Sequence, residues 1–105
     1  MEAKRIALLG GTFDPIHVGH ATVASFAADH IGADEVVFIP ANRSPLKHLR
    51  PRVSDEHRLK MIAIAVADDK RFRVSDHEIK KPEPSFTIET VKWFRDQYDK
   101  NTILY

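Results

Sequence analysis

A strict alternation of two residue patterns restricts this chain more than any other feature. "RIALLGG" is a short apolar run closed by two glycines, and it reads as a buried strand at about Arg5 to Leu9. From Ile16 or His17 to Ile31 the residues are good helix formers rich in alanine, and Gly32 stands where a C-terminal cap belongs. "EVVFIP" is a second buried strand, β-branched and aromatic, ended by Pro40. "ANRSPLKHLRPR", Ala41 to Arg52, is a basic loop with prolines and no acid. "SDEHRLKMIAIAVADD" opens with Ser54 as N-cap and puts Asp55 and Glu56 in the first turn, where they meet the positive end of the helix dipole. Its apolar stripe is Leu59, Ile62, Ala63 and Val66. "FRVSDHEI" reads as a third strand or extended segment, and "KKPEPS" as a loop. Ser85 or Thr87 then caps a helix with the stripe Ile88, Val91, Phe94 and Tyr98, and "TILY" begins a fourth strand.

Strands that take turns with helices imply a parallel sheet with helices on both faces. The expected fold is α/β: a Rossmann-like doubly wound sheet of strand order 3-2-1-4, formed by one domain over residues 1–105. In that order the connections reverse direction beside the first strand, and ligands bind outside the carboxyl ends of the strands at the reversal. The glycine turn after strand 1, the basic loop after strand 2 and "KKPEPSFT" after strand 3 all leave at that rim.

Bulk properties remove several function classes. The formal net charge of +1 gives no global pull toward nucleic acid or an anionic membrane. Absence of cysteine removes disulfides, thiolate metal sites and a cysteine nucleophile. The first residues lack a signal-peptide pattern, and no run is long enough to span a membrane, so a cytoplasmic chain is expected.

The rim segment "GGTFDPIHVGH", Gly10 to His20, holds the densest chemistry. Gly10 and Gly11 let the backbone turn and approach a ligand, and Thr12 adds a hydroxyl. Amides at a helix start aim at whatever lies above the strand, and the dipole there favours an anion. His17 and His20, three apart, share one face of the first helical turn, with Gly19 between them. Together these groups suit the stabilisation of charge on a phosphoryl group in transit. The plain alternative is a tight turn with incidental histidines. A zinc site lacks a third ligand nearby. The G-x-G-x-x-G and P-loop patterns are absent. Asp14 fits the turn, and His30 fits the negative end of its helix.

These residues resemble the T/H-x-G-H signature of the nucleotidyltransferase superfamily. With "DEVVFIPANRSPLK", "EHRLKMIAIAV", "FRVSDHEI" and "PSFTIETV" in order, the chain resembles the bacterial nicotinate-nucleotide adenylyltransferase family over nearly all its length. The resemblance implies adenylyl transfer from ATP to nicotinate mononucleotide, with Mg²⁺ accompanying the triphosphate. It implies that Gly10, Gly11 and Thr12 line the nucleotide and phosphate site. His17 and His20 would contact ATP phosphates, and Lys47 would reach phosphates from the basic loop. Ser85, Phe86 and Thr87 would lie near the pyridine ring and its carboxylate.

Two departures stand out. The family often has P-P-H-K in the basic loop, where this chain has "SPLK" with Ser44 and Leu46. Family members also continue beyond the fourth strand into a G-x-D segment, a stacking aromatic and an I-S-x-T-x-x-R motif, whereas these 105 residues stop within that strand. Two further readings follow: a nucleotide-binding half-domain without turnover, and an assembly element active with a complementary chain. An uncovered strand-4 edge also predicts a homodimer or swapped oligomer.

Overall fold

A computed structural model describes residues 3–11, 13, 18–41, 54–80 and 87–105, with only the backbone for Val18 and Thr87. Strand β1 (Arg5–Gly11) extends past its apolar run through both glycines. It pairs in parallel with β2 (Glu35–Pro40), with Gly10 opposite Ile39 and Gly11 opposite Pro40. β3 (Phe72–Val74) flanks β2, and β4 (Ile103–Leu104) flanks β1, so the order is 3-2-1-4 as the alternation requires.

Helices α1 (Val18–Ile31) and α2 (Asp55–Val66) cover one face of the sheet, and α3 (Thr87–Gln97) covers the other. Strand alternation divides the core accordingly. Val36 and Phe38 join Ala24, Ala28, Ile62 and Val66 on the first face, while Ile6, Val37 and Ile39 meet Phe94 on the second. Full burial of such a side chain contributes about 1.5–3 kcal/mol, so the two layers carry the main stabilisation. α1 ends where the sequence implies: Gly32 takes φ 67°, and the Ala33 amide donates to the Ala28 carbonyl at 2.9 Å, the six-to-one bond of a Schellman ending. Ser54 caps α2 by accepting the His57 amide at 3.2 Å.

Three expectations need correction. The third strand stops at Val74, and residues 77–80 turn instead of extending, held by the Lys80 amide on the Asp76 carbonyl at 3.1 Å. In α2 the buried row is Arg58, Ile62 and Val66, whereas Ala63 is exposed. In α3 the inward row is Thr90, Phe94 and Tyr98, leaving Ile88 and Val91 exposed. Both helices meet the sheet through an i, i+4, i+8 row, and that row includes a polar residue that a hydrophobic stripe passes over.

Candidate active site at the carboxyl edge of the sheet

β1 ends at this edge with Gly10 exposed and Gly11 half-buried. A Cβ on Gly10 would come no nearer than 4.0 Å to its neighbours, at the Ile39 carbonyl. A Cβ on Gly11 would stand 3.2 Å from the Phe13 ring, tighter than ordinary contact. Gly11 is therefore small to admit Phe13, whereas Gly10 leaves open backbone beside the rim. Phe13 sits in the left-handed region at φ 47°, which a side chain seldom adopts, and its ring is buried. That ring tilts against Phe38 at 5.8 Å and meets His20 edge to face at 5.1 Å. His20, half-buried in the first turn of α1, is thus oriented by packing close to the glycine turn.

Next along the rim, the Ala41 amide donates to the Gly11 carbonyl at 2.7 Å. The Ala41 carbonyl in turn accepts from Arg58 Nη2 at 3.0 Å. The same nitrogen lies 3.0 Å from Asp55 Oδ1. Beyond β3, the Ser75 amide donates to the Phe38 carbonyl at 2.8 Å, and Thr90 Oγ1 donates to Glu78 Oε2 at 2.8 Å, tying this segment to α3. His77 stacks on Trp93 with centroids 3.9 Å apart. Trp93, off the apolar stripe, is 40% exposed yet has this partner.

Of the expected site residues, Gly10, Gly11 and His20 come together at this edge. Thr12, His17, Lys47, Ser85 and Phe86, with Asp14, lie outside the described residues, as does the side chain of Thr87, whose backbone opens α3. The sequence reading missed Arg58, Phe13 and the His77–Trp93 pair. Arg58 had a signal, because it stands four and eight residues before Ile62 and Val66 on the buried row.

Chemically, the edge offers close backbone approach, a helix N-terminus and an imidazole held beside them. That set suits an anionic ligand. Among the described residues no group of three His, Asp or Glu side chains is placed to hold a metal ion by itself. The strongest electrostatic pairing lies elsewhere, before β3. There the Arg71 guanidinium bonds Asp69 and holds its carboxyl below the usual carboxylate range, while Asp29 at 2.8 Å completes the group. Two hollows also lie away from the glycine turn. One of about 550 Å³ is between α1 and α2, and one of about 770 Å³ is near Lys4 and Tyr98.

The sequence pattern of the cytidylyltransferase-like family matches residues 8–104, from the middle of β1 to the end of β4. The chain belongs to the cytidylyltransferase-like family. Among curated members, a Symbiobacterium thermophilum protein named probable nicotinate-nucleotide adenylyltransferase is 46% identical over 88 residues, which is 84% of this chain and 42% of the relative. A Clostridium tetani protein of the same name is 39% identical over 102 residues, 97% of this chain and 50% of the relative. The chain thus spans about half the length of the curated relatives it matches. A solved structure, Plasmodium falciparum nicotinic acid mononucleotide adenylyltransferase complexed with NaAD, superposes with TM-score 0.80 at 22% identity, covering 97% of this chain and 50% of that one. It supports the cytidylyltransferase-like fold. No helix among the described residues is long and apolar enough to cross a membrane.

Proposed function

We propose that this chain carries the phosphate-handling part of an adenylyltransferase site that makes deamido-NAD from ATP and nicotinate mononucleotide. A phosphate oxygen of the mononucleotide attacks the α-phosphorus of ATP, the bond from that phosphorus to the β-phosphate bridging oxygen breaks, and pyrophosphate leaves. The observation that carries the reading is that Gly10 and Gly11, the last residues of β1, meet His20 at the carboxyl end of the sheet, beside the helix N-terminus. The names of the curated relatives support the choice of substrates.

In this reading Gly10, Gly11 and Thr12 face the triphosphate, and His17 and His20 stabilise its developing charge. Lys47 adds a cation from the basic loop, a flexible point charge suited to phosphate. Ser85, Phe86 and Thr87 lie toward the pyridine ring. Mg²⁺ enters bound to ATP and neutralises part of the triphosphate charge. The reaction belongs to the cytoplasm.

Release of pyrophosphate from ATP and nicotinate mononucleotide tests the proposal. Replacing His20 by Ala removes one electrostatic donor and is expected to lower turnover by roughly 10²–10³. Unchanged turnover would overturn the role of His20. A second reading is ATP binding without turnover. A shift in melting temperature with ATP, but no pyrophosphate, would select it. Self-association through the outer edge of β4, where Ile103 and Tyr105 are exposed, is the third element of the proposal. Sedimentation at micromolar concentration should find dimers, and a monomer throughout would remove this element.

A further inference from the structure

We propose that Arg58 is a positioning residue for the glycine pair that ends β1. Arg58 lies in the first turn of α2 and is 3% exposed. Its row continues with Ile62 and Val66, so an apolar side chain would satisfy the packing. Burying a cation there carries a desolvation cost that must be offset by pairing and hydrogen bonds. Both are present, because Nη2 meets Asp55 Oδ1 and the Ala41 carbonyl, each at 3.0 Å.

The second contact falls at the last rung between β1 and β2. Val36 and Phe38 bond the β3 side, so Pro40 faces that side as well, where its missing amide hydrogen leaves no gap toward β1. Ala41 makes the last rung to β1, its amide bonding the Gly11 carbonyl at 2.7 Å. Asp55, Arg58, Ala41 and Gly11 therefore form one continuous chain of polar contacts, from α2 across the end of β2 to the last residue of β1. Arg58 fixes the peptide of Ala41 on one side, and that peptide fixes Gly11 on the other. The same residues flank the basic segment: Ala41 directly precedes residues 42–53, and Asp55 follows Ser54. One guanidinium nitrogen thus touches residues on both sides of that segment. The role assigned to Arg58 is indirect, since it acts on the ligand through backbone that it holds.

The inference rests on the reading that Gly10 and Gly11 approach ATP phosphates, so its test has two separate arms. In the first, backbone amide exchange is followed by NMR in the 105-residue chain, in Arg58→Met and in Asp55→Asn. Loss of hydrogen bonds to a charged group should speed exchange at the Ala41 amide by about tenfold or more in Arg58→Met. Exchange at Val37 and Phe38, inside β2, should change little. In the second arm, ATP affinity measured by calorimetry with Mg²⁺ should fall about tenfold in Arg58→Met, and by a smaller factor in Asp55→Asn, which keeps the guanidinium.

Faster exchange spread evenly over β2 would mean general destabilisation and would overturn the proposal. Faster exchange at Ala41 with unchanged ATP affinity would overturn it as well. If Arg58→Met lacks a cooperative unfolding transition, Asp55→Asn decides alone: local exchange at Ala41 with weaker ATP binding supports the proposal, and parental behaviour in both arms overturns it. If the parent chain binds no ATP while the exchange arm behaves as expected, the functional reading fails and the hold of Arg58 on Gly11 stands.

Discussion

The Phe13 ring meets the His20 imidazole edge to face, with centroids 5.1 Å apart and planes at 78°. Phe13 thereby links the glycine turn to the helix that carries His20, for its ring also lies against the position where Gly11 would bear a Cβ. Phe13→Leu keeps an apolar side chain in the core and should cost no more than about 1.5 kcal/mol in unfolding free energy. Turnover should fall further than that loss of stability explains, because His20 loses its orienting ring. Denaturant unfolding alongside pyrophosphate release measures both. Equal turnover in Phe13→Leu and the parent would remove Phe13 from the site.

The two glycines should respond differently to one added methyl group. Gly10→Ala meets only ordinary contact, so its stability should stay within about 0.5 kcal/mol of the parent. Any loss of ATP affinity then reports close ligand approach. Gly11→Ala presses on the Phe13 ring at 3.2 Å and should lose stability as well as affinity. Thermal unfolding with and without ATP separates the two cases. Identical behaviour of the two variants would contradict the assignment.

Thr90→Val should destabilise the fold by about 1–3 kcal/mol, because the bond to Glu78 is lost at a buried position. The slope of unfolding against denaturant should not change. Near-parental stability would show that the segment after β3 does not need this tie.

Acid should weaken the group before β3. Asp69 has its carboxyl lowered, first by the side-chain hydrogen bond from Arg71. A lowered folded value means the contribution is complete above the ordinary aspartate value of about 3.9, and is lost as pH falls through the lower folded value. The pair is partly exposed, so the effect is small. Asp69→Asn should therefore flatten the acid limb of stability below about pH 4, with little change near neutrality. An unchanged acid limb would count against the pairing.

Strand order and helix placement were legible because they follow from features a sequence states directly. Apolar runs, glycine and proline stops, and the Ser54 cap each depend on near neighbours in the chain. The inward rows of α2 and α3 were not legible to the same degree. A stripe drawn through Leu59 or Ile88 assumes that every buried position is apolar, whereas Arg58 and Thr90 are buried through partners that come from Ala41 and Glu78. No local pattern announces a hydrogen bond made across so many residues. The site divides the same way. Gly10, Gly11 and His20 stand out by spacing and by a family motif, and the fold brings them to one edge. Phe13 was passed over because only the folded chain brings its ring to both Gly11 and His20.

The pairing of β1 with β4 has a consequence in time. β1 is made long before its second neighbour, Ile103–Leu104, and its Leu8 amide donates to the Tyr105 carbonyl. The strand that ends in Gly10 and Gly11 therefore cannot be paired on both sides until residue 105 has left the ribosome. Until then it stands in the nascent chain with one open edge, bordered by β2 alone. Contacts so distant in sequence also close slowly. β1 is thus made well before the partner that completes its pairing.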